Sequence, residues 1–306
     1  MTETKKHHSY SYAKYGYLFV LPFMIAFLAF HFYPTIRTVL LSFTDNKGLA
    51  SLNQGLHFLK EDIFKNYKTI LTNETFLTSL KNTLKIWIIN FIPQIIFALL
   101  FTAWFTSRRN QIKGQGFFKV VFYLPNIMTA ATVAILFNNL FAYPVGPIND
   151  LLVSGGFIEK SYNFAVSPTA AQLTVAFIQF WMWYGYTMII LISGVLGINP
   201  EIYEAADLDG ANGWQTFWRI TIPNLRTILV YTLITALIGG LSMFDIPKMY
   251  LAGQPAHATT TMSMFIYDQA FAGSYLYARA AAASMILFVL IAICSVFVFL
   301  MMRDKK

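Results

Sequence analysis

The chain has 306 residues, of which 57% are hydrophobic, 17% aromatic and only 12% charged. Soluble domains carry about 25% charged residues, so a soluble cytosolic enzyme is not expected, and disorder, which needs low hydrophobicity and high charge, is excluded. A net charge of +8 would suit nucleic acid only if the 22 Lys and Arg clustered on one face; they are spread through several connecting segments, and no nucleic-acid partner is expected.

Six apolar stretches approach or exceed the roughly 20 helical residues that cross a hydrocarbon core: 17–35, 86–105, 120–142, 170–197, 227–245 and 280–302. The expected fold is therefore all-α, a polytopic membrane protein with six transmembrane helices forming a single domain over 1–306. The first stretch follows Lys5, Lys6 and Lys14 but is too long for a signal peptide and leads into Phe32-Tyr33-Pro34-Thr35-Ile36-Arg37 rather than a small-x-small cleavage site. It reads as a retained span. Pro22, Pro34, Pro93 and Pro125 lie in or beside spans, where neighbouring helices can satisfy freed carbonyls. His31 reads as a satisfied or interfacial side chain, and Cys294, the single cysteine, as a small apolar filler.

Orientation follows the basic residues. Segments 1–16, 106–119, 198–226 and 303–306 hold 12 Lys and Arg in 63 residues, against 10 in 111 for 36–85, 143–169 and 246–279. Both termini are expected in the cytoplasm, with the clearest signal in Arg108, Arg109 and Lys113. The stretch 44–76 reads as an extracytoplasmic loop.

Catalytic motifs are missing. No Lys-Ser or Lys-Thr has the glycines of a phosphate-binding loop; Lys68-Thr69 follows Asp62-Ile63-Phe64-Lys65-Asn66-Tyr67. There is no H-E-x-x-H, C-x-x-C or G-x-S-x-G, and the five His are scattered. A secondary carrier or channel subunit is the alternative to a transport component driven by a separate motor. Ion-coupled carriers place several ionisable groups in the membrane, and only Asp245, at a helix end, comes close.

The segment 198–226 carries most of the information. Pro200 suits a first helical turn, Glu201 and Glu204 complement the positive end of the helix dipole, and Gly210 can close the helix in a left-handed conformation. Ile202, Ala205, Ala206 and Leu208 give it a less polar face, and Glu201, Glu204, Asp207 and Asp209 form an acidic patch without a basic residue. An ordinary amphipathic surface helix has this pattern too; so does a helix that docks into a partner's groove.

In the fourth span Gln179, Trp183 and Tyr186 share one face at i, i+4, i+7, and in the fifth Ala236, Gly239, Gly240 and Met243 form a stripe of mostly small side chains. An aromatic, polar face opposite a small one leaves room for a sugar; interfacial aromatics and close helix packing are the plain alternatives. Asn90, Gln94, Asn138 and Asn139 are expected to hydrogen-bond between helices, with the pathway as the alternative.

Glu204-Ala205-Ala206, three residues, Gly210, nine residues, then Ile220-Thr221-Ile222-Pro223 resembles the E-A-A-x3-G-x9-I-x-L-P loop of ABC importer permeases, with Ile222 in place of Leu. Tyr17-Leu18-Phe19-Val20-Leu21-Pro22 through Tyr33-Pro34 to Leu41-Ser42-Phe43-Thr44-Asp45 is similar to the first span of carbohydrate-uptake permeases. Phe244-Asp245-Ile246-Pro247 through Gly253-Gln254-Pro255 to Thr259-Thr260-Thr261 resembles their outer segment after the fifth span, where G-G-P is commoner. The similarity is greatest to the larger permease subunit of the maltose system, without its extra N-terminal helices.

That resemblance implies a type I ABC importer permease fold in a bacterial or archaeal cytoplasmic membrane. It implies a second homologous permease, two ATPase subunits that bind ATP and Mg, and an extracytoplasmic solute-binding protein, with no cofactor on this chain. The residues 198–226 become a coupling loop, with Glu204, Ala205, Ala206, Asp207, Asp209, Gly210, Ile220 and Pro223 at the ATPase. The positions aligning with the maltose permease's sugar site are Gln179, Met182, Trp183, Tyr186, Ala236, Gly239, Gly240 and Met243, with different residue identities.

Overall fold

The computed structural model describes residues 13–52, 55–107, 113–273 and 275–303, all helix, turn or loop apart from one isolated bridge between Thr44 and Phe58. Lys5, Lys6, Arg108 and Arg109, on which the orientation leans, lie outside these residues.

The first crossing is built from α1 (Ala13–Phe27), a π-helical turn (Leu28–Phe32) and α2 (Tyr33–Leu41). It stands off the remaining helices: its most apolar window has no buried residue, and α2 touches α15 (Tyr277–Met302). His31 lies in the π turn, exposed and stacked on Phe27 at 5.9 Å between ring centroids. The following segment holds α3 (Lys65–Leu71), tied back by Asn66, whose Nδ2 donates to the carbonyls of Ser42 (2.9 Å) and Thr44 (2.7 Å).

The second crossing, α4 (Glu74–Phe105), is 32 residues long, or about 48 Å at 1.5 Å per residue. It begins well before the expected 86, because the Asn73 side chain caps it by accepting from the Phe76 N–H at 2.9 Å. The first turns carry Thr, Ser, Lys and Asn, so a hydropathy criterion cannot detect a helix that continues past the bilayer. The expected loop 44–76 is correspondingly part helix.

The third crossing is not the single run expected over 120–142. α5 (Gln115–Ile127) and α6 (Ala130–Leu140) are bent by 97°. Met128 and Thr129 are extended, and Thr129 caps α6 by accepting from the Thr132 N–H at 3.3 Å. Pro125, which has no N–H to donate, sits at the end of α5. The connection between α6 and the next crossing holds α7 (Pro147–Ser154). α8 (Pro168–Leu196) forms the fourth crossing, started by Ser167 accepting from the Ala170 N–H at 3.4 Å.

The connection 198–226 is α9 (Pro200–Leu208), α10 (Gly213–Thr216), a π turn (Phe217–Thr221) and α11 (Ile222–Asn224). The fifth crossing runs through α12 (Arg226–Leu241) into α13 (Asp245–Tyr250), and α14 (Met262–Phe271) precedes α15. Among the described residues five segments are long and apolar enough to cross a membrane, or six with the bent α5–α6 pair as one.

Among the described residues four apolar clusters join these helices, the smallest being Ala270, Tyr277 and Ala280 with Leu41 against them, which brings α2 to α14 and α15. Ile86, Val133, Phe137, Val175, Ile178, Met182 and Ile246 tie α4, α6, α8 and α13 together. Phe76, Leu237, Met262, Phe265 and Leu287 join α4, α12, α14 and α15. Ala98, Met188, Leu191, Val195, Leu225 and Leu229 join α4, α8 and α12 near the connection 198–226. α8 is central to the packing, and Gly185 lets it lie against α5, since a Cβ there would collide with the Phe122 carbonyl oxygen.

Gly185→Ala is expected to destabilise the fold by about 1–3 kcal/mol through overpacking, read as a lower melting midpoint of the purified protein in detergent. Gly116→Ala, whose Cβ would meet nothing within 4 Å, should leave the midpoint unchanged.

Candidate functional site

Between α4, α8 and α12 lies a cavity of about 170 Å³ lined by Gln179, Trp183, Tyr186, Ala236, Gly239, Gly240 and Met243, seven of the eight sequence-predicted pathway residues. A second cavity of about 160 Å³ shares Gln179, Trp183, Gly239 and Met243 and adds Met182, the eighth, with Ala130, Ser242, Phe244, Asp245 and Ile246. The two make one groove along α8 and α12.

Its chemistry is that of unclaimed hydrogen-bonding groups among aromatics. Gln179 is 9% exposed, and its amide makes no hydrogen bond with another described residue. The Trp183 and Tyr186 rings meet edge-on, with centroids 5.8 Å apart at 89°. α4 supplies Asn90 and Gln94. The Gln94 Nε2 donates to Thr187 Oγ1 at 2.9 Å, across helices as expected, whereas the Asn90 Nδ2 donates within its own helix to the Ile86 carbonyl at 3.1 Å. Both side chains line the cavity, so bonding and pathway exposure coincide. Asn138 and Asn139 are exposed and line neither cavity; the Asn139 Nδ2 donates to the Ile135 carbonyl of its own helix at 2.9 Å.

Sequence reasoning missed Thr187, Thr232 and Thr235 on the cavity wall. Their hydroxyls donate to carbonyls one turn earlier, at 3.2, 2.7 and 2.9 Å, which makes threonine compatible with an apolar span and hides it from a search for polar side chains.

The two glycines differ. A Cβ on Gly239 would meet nothing within 4 Å, whereas one on Gly240 would collide with the Trp87 indole. Gly239 opens the cavity; Gly240 lets α12 approach α4.

In the connection 198–226, the Asn199 side chain accepts from the Glu201 N–H at 3.1 Å to start α9. Gly210 ends it at φ +74°, with the Ala211 N–H donating back to the Ala206 carbonyl at 3.0 Å, the bond that a left-handed C-terminal residue permits. The expected less polar face is divided. Ala206 is buried with Tyr203 half-buried beside it, but Ile202 and Ala205 are exposed and Leu208 is 90% exposed. The reason is the turn after Gly210, which brings Phe217 and Thr221 back against the Tyr203 side of the helix. The Tyr203 and Thr221 hydroxyls lie 3.2 Å apart. Glu204, Asp207, Asp209 and Pro223 are exposed, and Ile220 is half-buried. A cleft of about 320 Å³ separates this loop from the ends of α4 and α8, walled by Trp104, Val195, Tyr203, Asp207, Trp214 and Phe217.

Residues 83–304 match the family model of binding-protein-dependent transport system inner membrane components. The chain belongs to this family. It is 28% identical to the lactose transport system permease protein of Rhizobium radiobacter over 293 residues, covering 95% of each chain. It is 30% identical over 284 residues to the multiple sugar-binding transport system permease protein of Streptococcus mutans, covering 92% of this chain and 93% of the relative. In structure it is similar to a chain of a bacterial alginate ABC transporter solved with an alginate pentasaccharide-bound periplasmic protein. The TM-score is 0.76 at 25% identity, with 95% of this chain and 94% of that one covered.

Gly239→Leu is expected to fill the cavity while leaving the melting midpoint close to that of the native permease, because open space receives the side chain. Gly240→Ala is expected to lower the midpoint, by about 1–3 kcal/mol of stability. The opposite ranking would mean that the glycines are assigned to the wrong sides of α12.

Proposed function

We propose that this chain is the membrane-spanning permease subunit of an ATP-driven importer for a sugar or oligosaccharide, and that the groove between α4, α8 and α12 is its path. The observation that carries the reading is the groove itself, in which the unpaired amide of a largely buried glutamine, an indole and a phenol surround an opening kept clear by Gly239. A pyranose ring presents apolar faces that stack on aromatics and hydroxyls that need hydrogen bonds, and Gln179, Trp183 and Tyr186 offer both. The sugar-transport relatives support the same substrate class.

The motor is a separate subunit. α9 docks in a cleft of an ATPase that binds ATP and Mg, with Glu204, Ala205, Ala206, Asp207 and Asp209 at the contact and Gly210, Ile220 and Pro223 shaping the return to the membrane. This chain needs no cofactor of its own. It pairs with a second, homologous permease and two such ATPases, and receives its solute from an extracytoplasmic binding protein. ATP-driven closure of the ATPases alternates the path between the two sides of the bilayer. Both termini lie in the cytoplasm by the distribution of basic residues, and the whole chain acts as one transmembrane domain. The Arg226 Nη2 donates to the Arg303 carbonyl at 2.7 Å, which supports a common side for the start of α12 and the end of α15.

Uptake into proteoliposomes containing the complete importer tests the path. Trp183→Ala and Gln179→Ala are each expected to reduce uptake about tenfold, comparable to losing one or two buried hydrogen bonds; unchanged affinity and rate in both would remove the groove from the mechanism. Gly210→Val tests the coupling. A β-branched residue at φ +74° is strained by about 1–3 kcal/mol, so ATP hydrolysis stimulated by the binding protein should be lost while membrane insertion is kept. Normal stimulation would overturn the docking role.

A further inference from the structure

Among the described residues the groove carries one carboxylate and no cation. Asp245 sits on the rim of the second cavity, exposed, and its carboxylate forms no hydrogen bond or ion pair with another described residue. The lysine on its own helix is engaged elsewhere: Lys248 Nζ lies 2.8 Å from Asp268 Oδ1 and 5.2 Å from the centre of the Tyr267 ring. No Lys, Arg or His lines either cavity among the described residues. Beside Asp245, the same groove holds Gln179, nine-tenths buried and without a partner. An unpaired amide that opens onto the groove from a largely buried side chain, and a carboxylate without a partner on its rim, leave acceptors for a ligand that brings its own hydrogen-bond donors.

We propose that Asp245 is a specificity-determining residue of the path, receiving the hydroxyls of a neutral saccharide and rejecting anionic sugars. The proposal rests on reading the groove as the sugar path. A carboxylate accepts from two neighbouring hydroxyls at once, and charge-assisted bonds of this kind are about twice as strong as neutral ones. A uronate brings a carboxylate instead. It would meet a like charge on the rim with no Lys, Arg or His of the described lining to offset it. On this reading the chain selects against the class to which the alginate of the structurally similar importer belongs.

Saturation-transfer NMR on the complete importer in lipid nanodiscs, with the binding protein omitted so that it cannot choose the sugar, tests the selection. The probes are methyl β-D-glucopyranoside and methyl β-D-galactopyranoside, each against its C6-oxidised uronate. Native protein should transfer saturation to at least one neutral probe and about tenfold less to its uronate. Asp245→Asn, with an unchanged melting midpoint, should bring the pair within about twofold, and Asp245→Glu should restore the preference. Trp183→Ala should abolish the neutral signal, locating it in the groove. Persistence of that signal in Trp183→Ala would overturn the groove as the sugar path. A signal abolished by Trp183→Ala but equally strong for the uronate in native protein, or a ratio unmoved by Asp245→Asn, would leave the path standing and overturn the role of Asp245.

Discussion

Lipid offers no hydrogen bonds, so a polar side chain carried into a membrane helix has to find its partner within the protein. The packing of α4 against α8 follows from this constraint. Gln94 bonds Thr187 across the pair, and nearer the start of α8 Gln172 Nε2 donates to Asn82 Oδ1 at 3.0 Å and to the Ala258 carbonyl at 2.8 Å. Asn82 donates in turn to the carbonyls of His257 (2.7 Å) and Thr260 (3.2 Å), and Thr83 Oγ1 accepts from the Met262 N–H at 2.9 Å. These bonds hold a loop in which Ala252, Ala256 and His257 all have left-handed φ, a conformation that costs energy for residues with a Cβ. Two helices and the loop that closes over them are thus fixed as one unit by amide side chains. Gln179 differs from those amides: its side chain is largely buried, but its amide opens onto the groove and has no partner among the described residues.

The sequence makes that face legible and leaves its surroundings hidden. The i, i+4, i+7 spacing of Gln179, Trp183 and Tyr186 selects one side of α8 without knowledge of the fold, and the small-residue stripe selects one side of α12. Periodicity cannot say which helices these sides meet, so the contribution of α4 was split between a bonding role and a pathway role that Gln94 in fact performs together. The threonines vanish into apolar spans because each hydroxyl is satisfied by a carbonyl of its own helix. The break in the third crossing was invisible for a related reason: Thr129 does the work of a helix cap inside a stretch whose hydropathy reads as continuous.

The sequence also distinguishes glycines poorly. Gly185, Gly210, Gly239 and Gly240 are four of the chain's 17 glycines. Each is required for a different physical reason: a close helix crossing, a left-handed turn, an open cavity wall and a close approach to an indole. Motif spacing singled out Gly210 and the small-residue stripe singled out the pair on α12. Gly185 was passed over because nothing in its immediate neighbours, Tyr184 and Tyr186, announces that the backbone of α5 lies against it.

The same packing gives the loop after α8 a mechanical connection to the groove. Tyr203 of α9 meets Thr221 through their hydroxyls, and Thr221 lies in the π turn that runs into α11 and α12. Immediately beyond it, Leu225 and Leu229 are buried among Met188, Leu191 and Val195 of α8. A close-packed interface of this kind transmits displacement rather than absorbing it. A push on α9 is therefore delivered to the base of α12 and resisted by α8, and the two walls of the groove, Gly239 on one and Trp183 on the other, belong to those two helices. The cleft of about 320 Å³ between the loop and the end of α4 provides the free space into which such a movement can go. Under the proposed function, coupling by this route would need no contact between α9 and the solute, only a relative shift of α8 and α12, whose facing sides carry Trp183 and Gly239.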